Sequence, residues 1–524
     1  MSKIMHMRGF LTFSPGASPL AACSVGAACA VVLALAPAPA AAATAATAAT
    51  AAPGRTERSA GAGRPAGAGI PGSTRSLPLV PLSRERVLGA APAQGLYRTG
   101  LDRFALVGVV WDDPGSELRG RVRVRTRSTV TGEWSGWRDV EAHHADHGAD
   151  PGTAERSSRR VRGATAPLWV GDSDGVDVRV RPTGTGSESG EDSEDSEDSE
   201  SGEGGEGGEG GTALPSGLRL ELVDPGEDTG KAADTAKAGQ AADKGKAGET
   251  ADAGEAADAG EALSANLPAD DPPRTELDTE AAIAASGANS DITAFGATEI
   301  PELDQAATES EMTRLQGPSR AKPHIGPRPR IVTRRGWGAD ESLRERGFVY
   351  TKKIKAAFVH HTATGNKYTC AQAPSVIRGI YRYHVESMGW RDVGYNFLVD
   401  KCGNIYEGRA GGVAKAVLGA HTLGFNSDSM GIAVIGTYGA NKPAGAAVTA
   451  VARLTAWKLG LYGVDPSGKT YLTSAGGNLY PKGKNVRLNV ISGHRDGFAT
   501  ECPGKRLYAK LGSARSSASR YQGR

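Results

Sequence analysis

The chain has 524 residues, with 61 Lys+Arg against 59 Asp+Glu and a formal charge of +2. That balance excludes a uniformly basic nucleic-acid binder and a uniformly acidic solvating protein, but it hides two opposed halves. Residues 330–524 carry 29 basic and 11 acidic residues, a net of +18, and residues 1–329 carry 32 and 48, a net of −16. Length alone suggests roughly three domains, yet 72 Gly and 29 Pro point to much low-complexity chain. Twenty of the 29 aromatic residues lie between Trp337 and Tyr521 and six between Tyr97 and Trp169, so only two regions can bury large cores.

The first segment reads as a secretory signal peptide over 1–43. A short basic start containing Lys3 and Arg8 precedes an apolar run, Val25–Ala36, and then small Ala/Pro-rich residues. That run is too short to span a membrane, and no other stretch is long and apolar enough. Loss of the leader would remove Cys23 and Cys29 and leave Cys370, Cys402 and Cys502, an odd count for an exported chain. Residues 44–76, rich in Ala, Thr, Gly and Pro, read as disordered.

From Leu77 the pattern changes to short strands: Phe104–Trp111 as a buried run, Leu118–Thr126 with alternating Arg and Val, Trp134–Val140, Leu168–Val170, Val176–Val180 and Leu218–Val223. These predict a β-rich accessory domain over 77–223, a small sandwich with a structural or wall-positioning role. His143, His144 and His147 stand in a polar Gly/Asp-rich loop, with no carboxylate or Cys partner at fixed spacing, and read as surface histidines. Residues 184–211 hold 11 acidic residues and no basic ones, which reads as a disordered insertion. Residues 224–329 read as a low-complexity linker with one short helix at 301–316.

Residues 330–524 carry the patterns of a compact α/β domain. Ala356–Val359 predicts a strand leading into His360-His361-Thr362. Ser375–Ser387 predicts a helix, Tyr395–Asp400 and Gly403–Gly408 a hairpin, Met430–Gly436 a buried strand, Ala444–Leu461 a helix, and Asn489–Gly493 a strand ending at His494. His360 and His494 at strand ends, with Cys502 eight positions after His494, make a three-ligand set. Such a set leaves the fourth position open, as a catalytic zinc requires, for a water whose pKa zinc lowers to about 7. Cys370 and Cys402 flank the helix-to-hairpin region and can pair, which leaves Cys502 single and suited to metal.

The stretches Arg335–Ala339, Phe358–Ala363, Gly389–Leu398, Ile405–Arg409, Gly419–His421 with Gly424–Asn426, and Gly493–Asp496 with Thr500–Gly504 together resemble the peptidoglycan recognition protein / type 2 N-acetylmuramoyl-L-alanine amidase family. The resemblance covers about a third of the chain. It implies a mixed central β-sheet flanked by helices, a Zn2+ groove, and hydrolysis of the amide between N-acetylmuramic acid and L-alanine of peptidoglycan.

By that resemblance His360, His494 and Cys502 are the zinc ligands, and His361 points to the opposite face. Tyr395 matches the family's catalytic tyrosine, whose phenol with pKa near 10 serves to orient or stabilise rather than to act as base. Thr500 stands where phage-type relatives have lysine and is expected to hydrogen-bond the developing oxyanion. His421 and Asn426 match groove residues that contact the muramyl peptide. Glu407 and Glu386 are carboxylates near these motifs, each read first as structural.

The expected protein is therefore secreted or cell-wall-associated and bacterial, with muramyl peptides and anionic wall polymers as partners, no nucleic acid, and no membrane span. The alternative is a non-catalytic peptidoglycan-binding protein of the same fold. The acidic insertion and linker are further expected to compete for the basic domain and restrain it.

Overall fold

The computed structural model describes residues 70–82, 92–142, 146–183, 213–227, 279–318 and 322–524. The leader reading for 1–43, the acidic insertion 184–211, His143, His144 and most of 44–76 and 228–278 lie outside these residues. No helix among the described residues is long and apolar enough to cross a membrane.

The N-terminal module is an all-antiparallel nine-stranded sheet. Its path runs Ser73–Pro78, Arg219–Asp224, Phe104–Trp111, Leu168–Pro182, Gln94–Arg98 and Val80–Pro81, with Gly120–Ser128 also paired to Leu168–Pro182. The stretches Leu168–Val170 and Val176–Val180 form one 15-residue strand. Its first part pairs with Phe104–Trp111 and its second with Gly120–Ser128 and Gln94–Arg98. That switch folds the sheet over a core of Phe104, Val107, Val109, Trp111, Val122, Val124, Val176, Val178 and Val180. Alternation along Gly120–Ser128 buries Val122, Val124 and Thr126 and leaves the arginines outward.

The C-terminal domain is built on a seven-stranded mixed sheet in the order Glu299–Ile300, Ile331–Val332, Ile405–Glu407, Phe397–Val399, Ser429–Val434, Ala356–His361, Ile491–Gly493. Ala356–His361 lies next to the edge strand Ile491–Gly493 and runs parallel to both neighbours. Such strands are buried on both faces and read as continuous apolar runs. Helix Gly445–Gly460 covers one face through Val451, Leu454 and Trp457. Helix Ala373–Arg382, opened by Pro374 and apolar at Val376, Ile377, Ile380 and Tyr381, covers the other. It continues as a π-helical turn, Tyr383–Ser387. Cys370 and Cys402 form a disulfide.

The two modules share a core. Leu106, Val110, Trp169 and Val223 pack with Ile377, Ile380 and Tyr383. Gly108 lies against the Tyr383 ring: a Cβ there would come within 2.6 Å of Cε2. The Tyr383 hydroxyl donates to Thr165 O at 3.0 Å.

Two boundaries differ from expectation. Part of the stretch read as linker is folded: helices Glu280–Gly287 and Gln305–Gln316 and strand Glu299–Ile300 belong to the C-terminal domain. Thr279 and Asp304 cap the helices by accepting from the Ala282 and Ala307 amides. Polar anchors hold the segment down. Asn289 donates to both Glu407 oxygens at 2.9 and 3.0 Å, and buried Arg328 pairs with Glu311 and donates to Pro301 O at 2.9 Å. Residues 73–76, read as disordered, begin a strand, Ser73–Pro78, paired with Arg219–Asp224.

Candidate metal centre

The alternation of strand Ala356–His361 decides where His360 points. In Ala356–His361, alternate residues share a face: Ala357 and Val359 enter the core beneath helix Gly445–Gly460, and Ala356 and Phe358 pack with Phe425 and Leu472. His360 follows Phe358 and faces the second side. His361 faces the first, where its Nδ1 accepts from the Tyr438 amide at 3.3 Å. His494 begins a 3₁₀ turn directly after the edge strand Ile491–Gly493, and Cys502 returns to the same spot.

The ligand atoms of His147, His360, His494 and Cys502 all lie within 4.8 Å of one another, and all four residues are buried. Cys502 Sγ is 3.8 Å from His360 Nδ1 and 4.0 Å from His147 Nε2. A tetrahedral zinc with Zn–N near 2.0–2.1 Å and Zn–S near 2.3 Å sets ligand S···N edges of about 3.6 Å. The Cys502–His360 and Cys502–His147 distances exceed that edge by a few tenths of an ångström, and the group as a whole is compact enough to close on an ion. Their outer nitrogens are already committed. His494 Nε2 lies 3.2 Å from Asp146 O, His360 Nε2 lies 3.3 Å from His421 Nδ1, and His147 Nδ1 lies 3.0 Å from Asp146 Oδ1. His494 Nδ1 is buried with no hydrogen-bond partner, the state of a nitrogen whose lone pair faces a cation site.

Electrostatics keep the imidazoles neutral, while the Cys502 thiolate would need a cation to offset its burial. Burial, then the neighbouring imidazoles, holds His360 well below its ordinary range and pushes His494 down to about 3. Burial, then the Asp146 charge, raises the Cys502 thiol. A cavity that rejects protons from imidazoles yet presents them as neutral donors is suited to a metal cation.

His147 is the correction to the sequence reading. It is not a surface residue: it is 5% exposed and sits among the other three, with ring centroids 4.5 Å from His494 and 5.1 Å from His360. Its carboxylate partner is its own neighbour, Asp146, whose other oxygen accepts from Thr500 Oγ1 at 2.5 Å. The signal was available as three of ten histidines in one loop of the N-terminal module. Nothing in their spacing pointed across more than 200 residues to His360.

The remaining candidates surround this group. Tyr395 is buried with its ring centroid 5.6 Å from that of His360, and burial, then Cys502, raises its phenol. His421 is fully buried behind His360. Asn426 Oδ1 accepts from the His421 and Thr422 amides, and its Nδ2 donates to Gly148 O at 2.8 Å and Asp150 Oδ1 at 2.7 Å. Glu407 lies in the sheet, tied to Asn289 and the Arg334 amide, and burial raises its carboxyl to about 7. Glu386 pairs with Arg382 at 3.2 Å. Neither carboxylate belongs to the metal-capable group.

Residues 350–505 match the N-acetylmuramoyl-L-alanine amidase family, and residues 64–202 match the Rv3811 N-terminal galactose-binding domain-like family. Peptidoglycan-recognition protein SC2 of Drosophila simulans is 32% identical over 181 residues, 34% of this chain and 84% of that protein. Its Drosophila melanogaster counterpart is 31% identical over the same span. Among solved structures, Drosophila PGRP-LB is 27% identical, covers 35% of this chain and 92% of that one, and superposes with a TM-score of 0.28.

Proposed function

Since this chain belongs to the peptidoglycan recognition protein / type 2 amidase family, we propose that its C-terminal domain is an exported zinc-dependent N-acetylmuramoyl-L-alanine amidase. The observation that carries the reading is the convergence of His360, His494 and Cys502 on one point, from a buried parallel strand, the end of the neighbouring edge strand and a loop after it. Zinc held there supplies Lewis acidity, polarising the amide carbonyl and making water nucleophilic near neutral pH.

The chain's own groups do the rest. His421, 3.3 Å from His360 Nε2, fixes the orientation of the His360 ring. Tyr395, kept protonated by burial, is a hydrogen-bond donor at the edge of the group and serves the developing oxyanion. Thr500 offers a second hydroxyl there, neutral where a lysine would add charge. Asn426 and Arg409, buried beside the group with their donors taken up by Gly148, Asp150 and Glu155, carry the donor chemistry that suits the carbonyls and carboxylates of a muramyl peptide.

The test is cleavage of purified peptidoglycan, read by mass spectrometry of the released peptides with and without chelator, for the wild type and Cys502→Ser. Free stem peptides beginning at L-alanine, lost with chelator and in Cys502→Ser together with bound zinc, are expected. Zinc retention with unchanged cleavage in Cys502→Ser would overturn the assignment. A second reading, a peptidoglycan-binding protein without hydrolytic activity, is favoured by one observation: a fourth protein donor, His147, already stands in the group. Binding of muramyl peptides without cleavage by any form of the chain selects that reading.

A further inference from the structure

We propose that residues 146–155 of the N-terminal module are an intrachain latch that closes the metal centre, with His147 occupying the coordination position a substrate needs. What the latch holds off rests on the amidase reading; the latch itself rests on the geometry below.

A catalytic zinc site keeps one position open, whereas four protein donors make a closed, structural one. His147 supplies the fourth donor here. Asp146 Oδ1 takes up its Nδ1 at 3.0 Å, so Nε2 is the atom presented to the group. The same segment satisfies the polar groups around the site. Thr500 Oγ1 donates to Asp146, Asn426 Nδ2 to Gly148 O and Asp150, and the Gly424 amide to Asp150 Oδ1 at 2.8 Å. Farther along, Arg409 makes a two-pronged pair with Glu155 at 2.9 and 2.7 Å. These groups of the C-terminal domain are donors, and the segment offers them acceptors, as an amide-and-carboxylate-rich peptide ligand would. The latch thus holds the place of the ligand class it excludes.

The segment is also built to lift separately. Among the described residues between Val140 and Gly163 there is no strand or helix, and the segment's hold on the C-terminal domain is mainly polar. The apolar contact between the modules runs instead through Leu106, Val110 and Tyr383. Opening the site need not part the two domains.

The experiment uses the full chain loaded with cobalt(II) and titrates it with azide, following the visible absorption of the metal. It compares wild type, His147→Ala and Glu155→Ala, each checked for folding by circular dichroism. If the latch is closed more than about nine-tenths of the time, azide binds His147→Ala at least about tenfold more tightly than wild type, and Glu155→Ala, which keeps His147, also binds more tightly than wild type. Cleavage of muramyl peptides rises in the same order if the amidase reading holds. Equal azide affinity in all three chains, no azide binding by any, or loss of cobalt from folded His147→Ala would each overturn the latch. Tighter azide binding without cleavage by any chain leaves the latch standing and overturns the amidase reading instead.

Discussion

Removing Glu155 tests the boundary between latch and core most directly. Glu155 and Arg409 are each only 8% exposed at the side chain. Burial works against the Glu155 carboxylate, but Arg409 and the Arg391 amide outweigh it and hold it below its ordinary range. Arg409's other hydrogen bonds are to backbone carbonyls, Val393 O at 2.9 Å and Leu418 O at 3.3 Å, with the nearby Asp392 carboxylate also favouring its charge. Deleting one partner of a buried pair costs about 3–5 kcal/mol when the structure must stay closed around the remaining charge. If residues 146–155 can lift, Arg409 regains water on lifting, and the cost falls on the closed state alone. At about 1.4 kcal/mol per factor of ten, Glu155→Ala should then raise the opening constant by about two to three and a half orders of magnitude.

Two amides report it. Leu423 N–H donates to Asp146 O at 3.0 Å and Gly424 N–H to Asp150 Oδ1 at 2.8 Å, both across the boundary. Their hydrogen exchange should accelerate by that factor in Glu155→Ala, while amides inside helix Gly445–Gly460 stay slow and the urea midpoint moves little. The opposite pattern refutes the reasoning: a midpoint lowered by the full amount, with Leu423 and Gly424 exchanging only through global unfolding, would make the segment part of the cooperative core.

Other outcomes follow from the same structure. Burial lowers Lys458 from 10.5 to about 7, so above pH 7 the unfolded chain holds a proton the folded one lacks, and stability rises with pH until about 10.5 by up to about 1.4 kcal/mol per unit; Lys458→Met should lack that rise in urea titrations at pH 7, 8 and 9, and parallel profiles would contradict it. Gly108→Ala drives a methyl into the Tyr383 ring and should cost about 1–3 kcal/mol or more, as overpacking does, seen as a lower thermal midpoint. Replacing Cys370 and Cys402 by Ala frees a loop of 32 residues and should cost about 3–4 kcal/mol in the chain-entropy account, read from urea unfolding; a change under about 1 kcal/mol would show a constrained unfolded state.

How far the sequence revealed this molecule follows from what kind of interaction made each part. Parallel strands buried on both faces leave apolar runs, so Ala356–His361 and Ser429–Val434 were legible, as was the helix after Pro374. Helices at 280–287 and 305–316 were mostly hidden because Ala-rich, Glu-rich sequence has little apolar periodicity; the first passed as linker and only the second was glimpsed, at 301–316. Caps at Thr279 and Asp304 and a buried Arg328–Glu311 pair hold them, and such anchors leave no period to read. The three donors of the C-terminal domain were recognisable because each sits in a distinctive local motif.

His147 has no such motif: its meaning lies entirely in a partner more than 200 residues away. A restraint on the basic domain is expected from the acidic insertion 184–211 and the linker, by diffuse attraction of many like charges. The described structure offers a different kind of device, three carboxylates and one imidazole at fixed positions, at Asp146, His147, Asp150 and Glu155. The two differ in their response to salt. Attraction between exposed charges fades over a Debye length of about 8 Å at physiological ionic strength, whereas a buried, two-pronged Arg409–Glu155 pair and an imidazole held among metal donors are screened much less. Azide affinity of the cobalt-loaded wild type that stays low from 50 mM to 500 mM salt is therefore expected of the latch, and azide affinity rising steeply with salt is expected of the acidic stretch.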